Sequence, residues 1–145
     1  NHVCPGCEKS GACQLQAVAY YTDMLSPHFT HFFPKRALDA SHPDAVIDFN
    51  RCILCELCVR ASRDVDHKNV FAIDGRGIGS RLVINSPSGK LGDSNFSADD
   101  KAAHVCPVGA ILSKHRGYDT PIGERLYDRK PISVVGDVAA HEDEV

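Results

Sequence analysis

With 145 residues and a formal net charge of −3, the chain is sized for one ordinary domain and has no basic stripe of the kind that binds nucleic acid. No run of like charge exceeds the acidic Glu142-Asp143-Glu144, and the longest mixed apolar run, Gln14 to Tyr21, is far too short to span a bilayer. The cysteine count, 7, is odd and the C-x2-C spacing tight, which argues against a closed disulfide framework and for metal binding in a reducing compartment.

The sequence opens at Asn1 without a methionine and with a candidate ligand at position 2, so it reads as a fragment of a longer protein, in which any targeting signal would lie upstream. Pro5 and Gly6 set up a tight turn between Cys4 and Cys7, and a helix-like run follows from Cys13 to Tyr21. Leu15, Val18 and Ala19 are its expected apolar face. Ser26 to Pro43, with Pro27, Pro34 and Pro43 among His28, His31 and His42, reads as an extended linker and domain boundary.

Ala45 to Phe49 alternates as a short strand, and Cys58 to Val65 suits a short helix. Phe71 to Ile73 and Leu82 to Ile84 are expected as two further strands around the glycine-rich turn Gly75 to Gly79. That turn lacks the G-x-G-x-x-G spacing of a nucleotide loop. Pro87 to Gly92 reads as a loop. Ser97 is the expected cap of a helix over 98–105 that Cys106-Pro107 ends. From Ser113 onward charged and turn residues dominate, as in a tail lying on the surface or on a partner. Arg60, Arg63, Arg125, Arg129 and Lys130 read as a solvated face.

The cysteines supply two ligand sets with none left over. Cys52-x2-Cys55-x2-Cys58 with the remote Cys106-Pro107 is the pattern of a bacterial-type [4Fe–4S] site. Zinc also accepts four thiolates, but zinc modules usually use two separated pairs rather than a triplet plus one. A two-cluster ferredoxin would place another Cys-Pro where Ser62-Arg63 stands, and a second triplet where Phe96, Asp99 and Ala102 stand. The module is therefore expected to retain one cluster.

The other set is Cys4-x2-Cys7-x5-Cys13 with His2 as the obvious fourth ligand. Cys13 lies at the start of the expected helix, where the positive end of the helix dipole favours an anionic sulfur. A neutral imidazole in place of a thiolate makes a cluster less negative and easier to reduce. His28, His31, His42, His67, His115 and His141 show no pairing at metal spacing and read as surface or packing residues. His104 is placed to donate a hydrogen bond near the second cluster.

The stretch Asn1 to Gln16, with the His2, Cys4, Cys7 and Cys13 spacing, resembles the histidine–cysteine segment shared by the large iron–sulfur subunit of respiratory complex I and its hydrogenase relatives. Arg51 to Arg60 and Cys106 to Leu112 extend the match. With the tail Arg116 to Gly123, the whole is most similar to the small diaphorase (gamma) subunit family of cytoplasmic NAD-reducing [NiFe] hydrogenases. Complex I relatives place the histidine four residues before the first cysteine, whereas His2 stands two before Cys4. The hydrogenase branch commonly has the Asn-His-x-Cys form seen here, which favours His2 over a ligand upstream of Asn1.

The resemblance implies an α+β chain in three parts. A His/Cys3 [4Fe–4S] segment with its linker spans 1–40, a ferredoxin-like [4Fe–4S] domain 41–117, and a docking or surface tail 118–145. It implies two [4Fe–4S] clusters, one on His2, Cys4, Cys7 and Cys13 and one on Cys52, Cys55, Cys58 and Cys106. A [2Fe–2S] cluster would belong to a plant-type domain that usually begins this family and is absent from this sequence. The implied role is non-catalytic: a cytoplasmic electron relay between a flavin- and NAD-binding diaphorase subunit and the hydrogenase small and large subunits. The alternatives are an iron–sulfur segment of an NAD-linked formate dehydrogenase or of a complex I large iron–sulfur subunit.

Overall fold

In the computed structural model, which describes residues 7–24, 35–117, 121, 123–125 and 128, the chain divides into two units. One joins residues 1–32 with 117–145, and the other is the continuous stretch 33–116. Gly117 and the described residues after it thus group with the N-terminal segment.

The alternating Ala45–Asp48 becomes strand β2, burying Ala45 and Ile47 on one face. It is the middle of a three-stranded antiparallel sheet, between β1 (Leu38–Asp39) and β5 (Ile111–Ser113). β1 lies inside the stretch expected as a linker, and β5 where no strand was expected. In the first case Asn50 holds the chain across the turn, its side-chain oxygen accepting from the Arg36 N–H and its amide donating to the Arg36 carbonyl. β3 (Phe71–Asp74) and β4 (Arg81–Ile84) form an antiparallel hairpin around the expected glycine turn.

The helix expected over 58–65 is a helical turn α2 (Leu57–Arg60) continued as a π-helical turn over Ala61–Val65. The helix expected over 98–105 is shorter, α3 (Lys101–His104), and Ser97 does not cap it. The N-terminal N–H groups of α3, on Lys101 and Ala102, donate to the two carboxylate oxygens of Asp66 at 2.8 and 3.0 Å. The cap arrives from the end of the π-helical turn, and Lys68 bonds Asp100 at 2.6 Å beside it.

The core joins both sheets to these helical turns through Ile47, Val70, Phe71, Leu82, Ile84, Leu91, Phe96, Ala102 and Ile111. Full burial of each large aliphatic side chain contributes about 1.5–3 kcal/mol. His42, expected at the surface or in packing, is buried edge-on against Phe96. Its Nδ1 accepts from the Asp44 N–H, which leaves Nε2–H to donate to the Phe96 carbonyl at 3.2 Å. Gly92 passes so close to Ser41 that a Cβ would lie 2.7 Å from the Ser41 carbonyl oxygen.

In the other unit, α1 (Gln14–Tyr21) starts directly after Cys13 and buries Ala17. Its expected apolar face points outward instead, with Val18 57% exposed and Leu15 39%. Leu15 and Ala17 stand some 200° apart around the helix, so small Ala17 rather than the bulkier pair faces inward. No helix among the described residues is long and apolar enough to cross a membrane.

Candidate metal centre

Cys52, Cys55, Cys58 and Cys106 line one cavity in the continuous unit, with Ile53, Leu54, Ile73, Leu82, Val108, Ala110 and Ile111 as its apolar walls and Glu56 at the exposed lip. Cys52 and Cys55 come from the loop entering α2, Cys58 from α2 itself, and Cys106 from the loop leaving α3. Arg51 clasps the two loops: its Nε pairs with Asp48 at 3.0 Å and its Nη1 donates to the Gly109 carbonyl at 3.3 Å. The Asp48 N–H donates to the Ala110 carbonyl at 2.8 Å alongside.

Two non-glycine residues of the triplet loop, Leu54 and Glu56, have left-handed backbone, with φ of 56° and 62°. Such conformations cost on the order of 1–2 kcal/mol each and collect at functional sites. Here the bend turns the Leu54 N–H toward the Cys52 sulfur, at 3.5 Å. Cys58 sits in the first turn of α2, where N–H groups without helical partners favour an anionic sulfur.

The four thiols feel one another. Burial pushes the Cys58 thiol up to about 12, and the neighbouring sulfurs of Cys106, Cys52 and Cys55 push in the same direction. Burial also raises Cys52, with Cys106 and Cys55 adding to it against the Leu54 N–H. Four mutually repelling thiolates in a partly buried, apolar-walled cavity are stable only around a strongly cationic group, and thiolates in such a set are the usual ligands of iron–sulfur clusters. Among the described residues no three His, Cys, Asp or Glu side chains converge on a point fit for a single metal ion. The four sulfurs line one cavity, and four thiolates are the usual ligands of such a cluster, so the donor set fits a [4Fe–4S] group.

At the positions where a two-cluster ferredoxin has further cysteines, this chain has Ser62, Phe96, Asp99 and Ala102. Ser62 is 1% exposed, and its Oγ accepts from the Val70 N–H at 2.8 Å. Its carbonyl takes the Lys68 and Asn69 N–H groups. Phe96 and Ala102 are core side chains and Asp99 is exposed. His104 stands exposed on α3.

Of the first ligand set, His2 and Cys4 lie outside the described residues. Cys7 and Cys13 are free thiols at either end of a loop leading into α1. The loop is held from two sides. Gln16 accepts from the Gly11 N–H at 2.8 Å and donates to Ser10 Oγ. Arg125, read from sequence as solvated, is instead 13% exposed and donates through Nη1 to the Ser10 carbonyl at 2.5 Å. Asp128 grips the same guanidinium at Nε (2.6 Å) and Nη2 (2.7 Å). The Arg125 hydrogen bond holds the Asp128 carboxyl well below the usual range, to about 2. The Arg-x2-Asp spacing was the one sequence sign of this pair; its loop partner lies too far away in sequence to be read.

Residues 46–112 match the family described as a 4Fe-4S single cluster domain, and residues 1–28 match the NADH-ubiquinone oxidoreductase-G iron-sulfur binding region. The chain is 43% identical over 130 residues to the NAD-reducing hydrogenase HoxS subunit gamma of Cupriavidus necator, covering 88% of this chain. It is homologous to that gamma subunit. A chain in the crystal structure of an NAD+-reducing [NiFe]-hydrogenase in the H2-reduced state superposes with a TM-score of 0.84 at 56% identity over 90% of this chain. NADH-quinone oxidoreductase subunit 3 of Thermus thermophilus is 32% identical over 126 residues, 75% of this chain and 15% of that protein. The chain spans 54% of the Cupriavidus subunit and 56% of the crystallised chain, about half the length of these relatives. Its relationship to both the hydrogenase and the complex I subunits is as the sequence resemblance implied.

Proposed function

We propose that this chain is a non-catalytic electron-transfer subunit that relays electrons between a flavin- and NAD-binding diaphorase subunit and a [NiFe] hydrogenase module in the cytoplasm. The observation that carries the reading is the convergence of Cys52, Cys55, Cys58 and Cys106 on one apolar-walled cavity in a chain homologous to a hydrogenase gamma subunit.

A [4Fe–4S] cluster bound there supplies one-electron redox chemistry. The protein's part is to hold it. The thiolates anchor it, the apolar walls exclude water, and the Leu54 N–H softens the negative charge on Cys52. With Ser62, Phe96 and Ala102 committed to the core, this module holds a single cluster. Cys7 and Cys13, with Cys4 and His2, hold a second one in the other unit, a reading supported by the iron-sulfur match over residues 1–28. A [2Fe–2S] cluster belongs to a further domain of the kind that the longer relatives have room for.

The test is elemental analysis of the native complex recovered through this chain. Iron with nickel is the expected result. Iron with molybdenum or tungsten would move the chain to a formate dehydrogenase, iron with none of these three would favour the complex I relatives, and zinc without iron would overturn the electron-transfer reading.

A further inference from the structure

The loop between Cys7 and Cys13 is closed at its midpoint by a residue from the far end of the sequence. Gly11, with φ of +83°, has left-handed backbone, and a Cβ there would overlap the Arg125 guanidinium. Glycine is therefore needed for the turn, and a side chain there would push the Arg125 guanidinium aside. Arg125 uses its full fork: one arm bonds the Ser10 carbonyl, while Nε and the other arm bond the two Asp128 oxygens. Asp128 also accepts from the Gly123 and Arg125 N–H groups, so the fork sits in a rigid seat. The two side chains are 13% and 17% exposed, against 58% and 55% in the Arg63–Asp64 pair, although Asp128 as a whole residue is exposed.

We infer that Arg125, seated by Asp128, is a positioning residue for the first iron–sulfur site: it fixes the Ser10–Gly11 turn so that Cys7 and Cys13 are held at cluster-binding separation, and it places a cation beside that site. The inference rests on the proposal that Cys7 and Cys13 are ligands. Lysine cannot replace arginine here, because a single ammonium cannot bond the Ser10 carbonyl and both Asp128 oxygens in a planar fork. Groups that orient metal ligands typically contribute ten- to hundredfold to metal affinity.

The experiment uses the native complex with wild-type chain, Arg125→Ala, Arg125→Lys, Asp128→Asn, Gly11→Ala and Cys13→Ser, with Arg63→Ala as a distant charge control. Two quantities are read: release of iron to a chelator, and the potential and electron paramagnetic resonance signal of each cluster. Arg125→Ala is expected to accelerate release of one cluster's iron about ten- to hundredfold, to lower that cluster's potential, and to leave the Cys52–Cys106 cluster unchanged. Arg125→Lys keeps the potential near wild type but releases iron fast, while Asp128→Asn and Gly11→Ala release it fast as well. These milder variants carry the test if Arg125→Ala fails to assemble. Wild-type release and potential in Arg125→Ala, or full rescue of slow release by lysine, would overturn the inference. If Cys13→Ser itself leaves both cluster signals intact, it is the ligand proposal that falls.

Discussion

Removing one buried oxygen, in Ser62→Ala, tests what holds the turn that follows α2. Ser62 and Val70 are each 1% exposed, and Ser62 Oγ is the acceptor for the Val70 N–H at 2.8 Å. Deleting it leaves a backbone donor buried without a partner, which costs about 1–3 kcal/mol. The Ser62 carbonyl still binds Lys68 and Asn69, so the turn persists and no further loss is expected. For a unit this size each kcal/mol lowers the melting temperature by about 4–8 °C, so a fall of roughly 4–24 °C is expected. Anaerobic thermal unfolding followed by both far-ultraviolet circular dichroism and cluster absorbance measures it. Ser62→Cys is the companion variant: it restores the cysteine of a two-cluster ferredoxin but should bind no added iron, because Phe96 and Ala102 still fill the space. An unchanged melting temperature in Ser62→Ala, or added iron in Ser62→Cys, would refute the reasoning.

Cys55→Ala should remove one cluster's iron and one paramagnetic signal while the other cluster stays, and a variant retaining both signals would refute the ligand assignment. Asp66→Ala strips the N-terminus of α3 of both its acceptors, and about 1–2 kcal/mol should be lost, read from the urea midpoint. The cluster-free protein should lose stability as pH rises. Cys58 is raised to about 12 by burial, so the folded state keeps a proton that the unfolded state sheds near about 8.5. That stabilisation is complete below the unfolded value and falls by up to about 1.4 kcal/mol per pH unit above it. Urea midpoints of the cluster-free chain between pH 7 and 10 check this, and a flat profile would contradict the burial argument.

Sequence patterns located what depends on near neighbours. β2, β3 and β4 follow from alternation and from runs of β-branched residues around a glycine turn. The cavity of Cys52, Cys55, Cys58 and Cys106 follows from ligand spacing. What escaped is held by distant partners. β5 has only Ile111–Ser113 to announce it, too few residues for a period, and exists because β2 pairs with it. α3 begins late because its cap is Asp66, which no Ser-x-x-Glu pattern near Ser97 reveals. Periodicity located the helix Gln14–Tyr21 but not which side packs, since Ala17 and not Leu15 or Val18 faces inward. Charge alone made Arg125 look solvated, when its partners are Asp128 and the Ser10 carbonyl.

The bond between Ser10 and Arg125 joins residues 115 apart in sequence, with the whole 33–116 unit made between them. At about 5–20 residues per second, a ribosome finishes Arg125 some 6–23 s after Ser10. The continuous unit can collect its core and its four thiols while synthesis is still under way. The discontinuous one must wait for its last strap, exposing Cys7 and Cys13 on an open loop in the interval. The order of translation therefore imposes an order of completion, with the continuous unit closed before the loop between Cys7 and Cys13 receives its strap.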